Sequence, residues 1–264
     1  MSQIPWNVDW LVPQWPAPAG VKALCTTRTG GASMGAYASL NLGTHVGDNA
    51  QQVQYNRAIV RSALGVNPVF MNQVHGNHVL ELETVDEIEL TGDGASTRSR
   101  GIACTVMVAD CLPVLLCDVQ GKRVAAVHAG WRGLAGTQGV GVLDKVVERF
   151  LPSSLGEYAQ PATEVIAWLG PCIGPQAFEV GSEVREEFVN HHVSAAQCFC
   201  SRPGGKWLAD LPALARQRLQ ALGVSRVYGN DGSAQWCTVG NTSRFFSHRR
   251  DRITGRQAAC IWLV

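Results

Sequence analysis

Short, continuous apolar runs separated by glycine and polar turns set the pattern of this chain. Ala103–Val108, Val114–Asp118 and Val124–His128 are rich in β-branched residues and read as strands. Further strands are expected at Val21–Thr27, Val69–Gln73, Val79–Glu83, Val165–Leu169, Val227–Gly229 and Ala258–Leu263. A Gly-rich loop runs from Gly30 to Gly47. Helical spacing appears over Ala50–Leu64, with Asp48 or Asn49 as its cap, and over Ser182–Asn190. Leu134–Phe150 also reads as one helix, burying Leu143, Val146, Val147 and Phe150. Asp210 caps a helix reaching Leu222, with Pro212 in its first turn. Clustered strands with interspersed helices predict an α+β chain with mixed sheets, not regular βαβ winding. The loop-like residues 152–162 are too brief for a linker, so 1–264 reads as a single domain.

One hairpin brings chemistry with it. The run Cys111-Leu-Pro-Val-Leu-Leu-Cys-Asp118 passes through Gln120-Gly121-Lys122 into Arg123-Val-Ala-Ala-Val-His128. Folding between Val119 and Gln120 sets Cys111 opposite His128. Directly opposed side chains share a face, with Cβ atoms about 4.5–5.5 Å apart. A thiolate and an imidazole at that separation suit a zinc ion, and a third ligand leaves one position open, as in catalytic zinc. His75, closing Gln73-Val-His-Gly76, is the candidate third ligand; His45, His78 and His248 compete for the place.

Other residues add roles or stay bland. Asp110, beside Cys111, is a candidate partner for a ligating imidazole or a general base, and equally a loop-capping carboxylate. The Gly and Arg of His128-Ala-Gly-Trp-Arg-Gly133 precede a helix whose N-terminus suits an anion. Arg28, Arg132, Arg249 and Arg250 are candidate anion ligands, since guanidinium forks match phosphate. Cys104, Cys117 and Cys260 read as small buried hydrophobes. His191-His192 reads as surface, and Cys198-Phe-Cys200 lacks the usual two-residue spacer of a metal site.

Composition narrows the class. A net charge of +1 gives no electrostatic reason to expect nucleic acid or an anionic membrane. Nine cysteines, an odd number without disulfide-like spacing, fit a reducing compartment. The first residues lack a basic n-region and an apolar h-region, so the expectation is a cytoplasmic protein without a bilayer span. The Trp-rich stretch from Trp6 to Trp15 leaves monomer and homodimer both open.

At these residues the chain resembles the YfiH family, also called the laccase-domain, multicopper polyphenol oxidase or peptidoglycan editing factor family. The resemblance runs through Thr26-Thr-Arg-Thr-Gly-Gly31, Leu40-Asn-Leu-Gly-Thr-His-Val-Gly-Asp48, Gln73-Val-His-Gly76 and Ala109-Asp-Cys-Leu-Pro113. It continues through His128-Ala-Gly-Trp-Arg-Gly133, Leu169-Gly-Pro-Cys-Ile-Gly174 and Phe245-Phe-Ser-His-Arg-Arg-Asp251. His248 stands where the family often has tyrosine, and Cys172 where alanine is common. Segments near Tyr158–Pro161 and Ala234–Trp236 are slightly longer than usual.

The resemblance implies a four-layer α/β/β/α sandwich, shared distantly with a deamidating toxin domain that uses a Cys–His pair. It implies zinc on His75, Cys111 and His128. It also implies purine nucleoside phosphorolysis of adenosine, inosine, guanosine and methylthioadenosine, with adenosine deaminase activity besides. On that reading Cys111, Asp110 and His128 form the catalytic set, and Arg28, Asn41 and Arg249 bind nucleoside and phosphate. The laccase label fits poorly. A multicopper cluster needs on the order of ten histidines, many in His-x-His pairs; this chain has seven and no such pair. Copper can still replace zinc at such ligands. The cytidine-deaminase signature is absent, so deamination would use another site design. Two rival readings are a Cys111 nucleophile with His128 as base, acting as an amidase on cell-wall precursors, and a binding protein without physiological turnover.

Overall fold

A computed structural model describes residue 7 and residues 9–83, 90–151 and 164–264. Its strands are β1 Val21–Cys25, β2 Asn67–Phe70, β3 Val79–Glu81, β4 Gly94–Thr97, β5 Ile102–Val108, β6 Leu112–Asp118 and β7 Val124–Ala129. They continue as β8 Val165–Leu169, β9 Glu179–Val180, β10 Phe199–Arg202, β11 Lys206–Ala209, β12 Arg226–Gly229 and β13 Gln257–Leu263. The helices are α1 Ala50–Leu64, α2 Trp131–Ala135, α3 Val142–Glu148, α4 Ser182–Val189, α5 Leu211–Ala221 and α6 His248–Asp251.

The apolar runs are continuous because their strands are covered on both faces. Successive side chains of a strand point to opposite sides, and here each side meets its own core. In β13, Ala259, Ile261 and Leu263 face one cluster while Ala258, Cys260 and Trp262 face another. In β6, Leu115 and Cys117 join the first cluster, whereas Leu112, Val114 and Leu116 join a third. The shared cluster lies between a four-stranded sheet, ordered β1-β13-β5-β2, and a six-stranded sheet, ordered β12-β8-β6-β7-β4-β3. Outside the smaller sheet lies α1, through Val60 and Leu64. Outside the larger one lie α3, α4 and α5, through Leu143, Val146, Phe188, Leu214 and Leu219. Each such buried side chain contributes about 1.5–3 kcal/mol. The result is the expected α/β/β/α layering. Both large sheets are mixed: β2 runs parallel to β5, β3 to β4 and β12 to β8.

Three expectations need correction. The hairpin pairs Pro113 with His128 and Cys117 with Val124, and the Asp118 amide donates to the Arg123 carbonyl around a four-residue loop, so Cys111 is not directly opposite His128. It lies two residues beyond Pro113, outside the strand. A shift of two residues preserves the face, which is why both side chains still point to the same side. The single helix over Leu134–Phe150 is two helices, α2 and α3. Gly136 ends α2 at φ 72°, and a Cβ there would lie 2.0 Å from the Val140 carbonyl oxygen. Third, β4 and the small sheet β10-β11-β9 were not anticipated. Cys198, just before β10, is buried, and Cys200, within β10, is exposed. Residues 152–162, read as a loop, lie outside the described residues, as does Trp6. No described helix is long and apolar enough to cross a membrane.

The chain crosses from one large sheet to the other between β5 and β6, through Ala109-Asp110-Cys111. That crossing, at the open end of the inter-sheet layer, is where the polar residues converge.

Candidate metal centre

The centre is organised by a carboxylate that sequence reasoning missed. Asp93 is fully buried at the start of β4, which pairs antiparallel with β7 and so lies beside His128. Its backbone carbonyl accepts from the His128 amide at 2.7 Å, and its Oδ1 lies 2.8 Å from His128 Nδ1. The same carboxylate accepts the amides of His75 (2.8 Å), Gly76 (2.7 Å) and Val74 (3.2 Å). One side chain therefore orients the His128 ring and shapes the turn that carries His75, whose φ is 61°. Burial would raise the Asp93 carboxyl, but its bonds to His128, Gly76 and His75 outweigh that and hold it below the usual carboxylate value. With Nδ1–H given to Asp93, Nε2 of His128 is the free ligand atom, the arrangement common around metal-bound imidazoles.

Cys111 completes the group. Its Sγ lies 3.7 Å from His75 Nε2, and the ligand atoms of His75, Cys111 and His128 all fall within 4.8 Å of one another. Two ligands on one tetrahedral zinc, at about 2.3 Å for sulfur and about 2.0–2.1 Å for nitrogen, stand roughly 3.5 Å apart. The donor set and spacing fit such an ion. Burial alone would raise the Cys111 thiol; the charge of His128 and hydrogen bonds from both histidines outweigh it and bring it down to about 6. Burial likewise disfavours a charged His128, and the Cys111 thiolate and Asp93 lift it to about 9. These shifts favour a thiolate–imidazolium pair in the metal-free protein, and a metal ion would take the place of the proton between them.

Glycines around the ligands have steric reasons. A Cβ on Gly130 would lie 2.9 Å from His75 Cδ2 and 3.0 Å from Cys111 Sγ; one on Gly133 would lie 2.6 Å from the Gly76 carbonyl oxygen. These two positions explain the glycines of His128-Ala-Gly-Trp-Arg-Gly133. The helix there, α2, is five residues long, too short to build the anion site expected from sequence.

The cluster opens onto a cavity of about 340 Å³, at the lower end of the roughly 300–1,000 Å³ typical of small-molecule sites. Ile173, Phe178 and Met107 give it an apolar side, while Arg249 and Arg256 give it a cationic one and His45 adds an imidazole. Burial first, then the charges of Arg256 and Arg57, hold the His45 imidazole below its usual value. Gln73, also in the wall, uses its side-chain amide to pair both the N–H and the carbonyl of Met107, continuing the pairing on β5 past the end of β2.

The remaining candidates fall in different places. Asp110 lines the cavity at φ 98°, but Asp93, not Asp110, is the partner of the ligating imidazole. Both Asp110 oxygens are engaged, at 2.6 Å each, by the Thr238 hydroxyl and the Arg249 amide. Arg249 lines the cavity, its Nη1 held by the carbonyls of Ala177 and Glu179. Arg28 is turned away from it, donating to Ala38 and Thr242 and stacking on Phe246. Asn41 is fully buried and does not reach the cavity; it holds the amides of Gly43 and Arg256 and the carboxylate of Asp48. Arg250 is paired with Asp251, and Arg132 stacks on Trp131. His45 and His248 line the cavity, and His78 lies outside it; none joins the ligand cluster. Arg256 and Asp93 went unread in the sequence. The flanking glycines of Gly92-Asp-Gly94 were the one local signal for Asp93.

Comparison with known proteins agrees with this architecture. Residues 22–264 match the model of a family described as multi-copper polyphenol oxidoreductase laccase. A relative from Pseudomonas aeruginosa, named a purine nucleoside phosphorylase, is 47% identical over 255 residues, covering 96% of this chain and 98% of the relative. The Escherichia coli purine nucleoside phosphorylase YfiH is 46% identical over 256 residues, covering 96% and 98%. A crystal structure of a Neisseria meningitidis protein superimposes with TM-score 0.86 at 46% identity, over 97% of this chain and 99% of that one. The Bacillus licheniformis protein YfiH superimposes with TM-score 0.80 at 29% identity, over 92% and 93%.

Proposed function

This chain belongs to the family described as multi-copper polyphenol oxidoreductase laccase, and within it we propose a zinc-dependent purine nucleoside phosphorylase. Its substrates on this reading are adenosine, inosine, guanosine and methylthioadenosine with inorganic phosphate, and adenosine deamination is a side activity. The observation that carries the reading is a His75–Cys111–His128 ligand set opening onto a cavity that holds two arginines and an apolar wall. Two relatives of nearly equal length that carry the phosphorylase name support it.

In phosphorolysis a phosphate oxygen bonds to the anomeric carbon of ribose while the glycosidic C–N bond breaks. The electron pair leaves with the purine, which takes up a proton, giving ribose 1-phosphate and free base. Phe178 and Ile173 suit the flat apolar base, and the guanidinium of Arg249, already oriented by two backbone carbonyls, suits the phosphate oxyanion. Zinc, when bound by His75, Cys111 and His128, supplies Lewis-acid charge beside that oxyanion and favours ionisation of water for deamination. Asp93 fixes the tautomer of His128 and the turn of His75. Asp110, with both oxygens engaged, positions Arg249 and the Thr238 loop instead of acting as the general base. The donor count speaks against a multicopper oxidase: among the described residues one group of three ligands converges, far from the ten or so a laccase needs. Copper is expected to displace zinc at these ligands in vitro, since it binds nitrogen and sulfur donors more tightly. The setting we propose is the cytoplasm, with small-molecule partners and neither nucleic acid nor membrane.

One observation favours a second reading. Cys111, His128 and Asp93 stand in the order thiol, imidazole, carboxylate, the arrangement of a cysteine hydrolase, which would act on an amide of a cell-wall precursor. The test is release of free base from inosine and adenosine by zinc-loaded protein, with and without phosphate. Phosphate-dependent release is expected. No release in either condition, with activity toward amides retained after chelation, would overturn the phosphorylase reading in favour of the hydrolase.

A further inference from the structure

We infer that Arg256 and His45 form an anion subsite on the wall of the cavity, the place where inorganic phosphate is held. The identity of the anion rests on the phosphorylase reading; the site itself rests on the geometry of Arg256. A guanidinium taken partly out of water needs a compensating charge or a full set of hydrogen bonds. Other half-buried or buried arginines show two forms of compensation: Arg216 donates to the carbonyls of Val227, Tyr228, Gly229 and Asn230 and Arg28 to those of Ala38 and Thr242, while three more carry an ion pair. Arg123 pairs with Glu81, Arg218 with Asp144 and Arg250 with Asp251. Arg256 is half-buried in the cavity wall and has no ion pair among the described residues. Among the described residues only its Nη1 is engaged, by the carbonyls of Thr254 at 3.2 Å and Gly255 at 3.0 Å.

The chain holds this arginine in place with some care. Its amide donates to Asn41 Oδ1 at 2.9 Å, and its carbonyl accepts from Leu42 at 3.1 Å. Its stem packs on Gly43, where a Cβ would come within 2.9 Å of Arg256 Cγ. The polar and glycine positions of Leu40-Asn-Leu-Gly-Thr-His45 are thereby explained: Asn41 and Gly43 seat Arg256, and the same loop carries His45 to the cavity. Asn41 is a positioning residue that acts through Arg256. Arg57, behind His45 and likewise without an ion pair among the described residues, adds to the positive field; its guanidinium is spent on the Leu42 carbonyl and the Phe70 ring. The charges of Cys111 and Asp110 reach Arg256, yet neither group hydrogen-bonds its guanidinium among the described residues. Asp110 is engaged by Thr238 and the Arg249 amide, and Asp93 is buried beneath His128. A cationic wall with a free guanidinium edge, beside a metal centre and opposite an apolar face, suits a compact oxyanion.

The test measures inorganic phosphate in two ways on zinc-loaded protein: its KM in base release from inosine, and its Kd by calorimetry without nucleoside. R256M is expected to raise both at least tenfold, to leave the inosine KM at saturating phosphate within about twofold, and to leave zinc content unchanged. R256K keeps charge and stem, reports if R256M does not fold, and is expected to fall between R256M and wild type. H45A and N41A are expected to move the phosphate constants in the same direction, and R202M, an exposed arginine outside the cavity, to move neither. Phosphate-dependent base release with both phosphate constants unaltered in R256M or R256K would overturn the subsite and leave the phosphorylase reading standing. A wild-type protein that binds phosphate, loses it in R256M, yet releases no base would keep the subsite and remove the phosphorylase reading. A wild type that binds no phosphate overturns both.

Discussion

Replacing Asp93 with asparagine removes one acceptor oxygen and almost no volume, so its effect can be worked from the hydrogen bonds alone. Asp93 accepts from His128 Nδ1 and the His75 amide on one oxygen, and from the Gly76 and Val74 amides on the other. Asparagine can serve one of these pairs and must turn its own NH2 toward the other. Turned toward Gly76 and Val74, it strands two part-buried donors. Turned toward His128, it strands the His75 amide and drives the imidazole proton onto Nε2, the atom needed as ligand. A stranded buried donor costs about 1–3 kcal/mol; with Val74 exposed and Gly76 half-buried, the two together cost about 1–3 kcal/mol. For a chain of this size each kcal/mol lowers Tm by about 2–4 °C. Loss of the carboxylate behind a ligating histidine lowers metal affinity about 10- to 100-fold. Zinc competition against a chromogenic chelator and thermal melts of metal-free protein read the two effects separately. Acid titration gives a third readout. The folded carboxyl sits below its ordinary value, so its stabilisation is present above the ordinary carboxylate pKa and is lost as pH falls through the folded one. D93N should therefore show a shallower loss of stability at the acid end. A variant that binds zinc as tightly as wild type and melts at the same temperature would refute the reasoning.

Gly130→Ala places a methyl 2.9 Å from His75 and 3.0 Å from Cys111; zinc content by atomic absorption should fall sharply while far-UV circular dichroism is kept. In metal-free protein, Cys111 should react with iodoacetamide down to about pH 6, following its lowered thiol, and zinc should protect it; a midpoint near the ordinary thiol value would contradict the thiolate–imidazolium pair. C111A should lose both metal and turnover. Asp144→Asn breaks the largely buried bidentate pair with Arg218 that ties α3 to α5; a loss of about 3–5 kcal/mol in urea unfolding is expected, with zinc affinity unchanged.

Much of this was legible because the decisive spacing is local. The run Ala50–Leu64 reads as a helix capped by Asp48 or Asn49, and the structure places the helix there with Asn49 as the cap. The hairpin carries Cys111 and His128 to one side even though its register was misjudged, because an error of two residues does not change the face. Local spacing also misled: the apolar period through Leu143 and Phe150 hid the breaks imposed by Gly136, Gly139 and Gly141. What stayed illegible depends on long-range pairing. Asp93 matters because β4 lies beside β7 and because the turn at His75 folds over it, and no local pattern announces either contact. Arg28 and Asn41 stand in conspicuous motifs, yet one points away from the cavity and the other acts on it only through Arg256.

The central claim is most directly tested by ribose 1-phosphate formed from inosine and phosphate, measured on one preparation as purified, after chelation, and after zinc is restored, with metal content determined at each stage. The account predicts one ribose 1-phosphate per base released, loss of turnover with the metal, and its return with zinc. Turnover that persists in metal-free protein, or base released without ribose 1-phosphate, would contradict it.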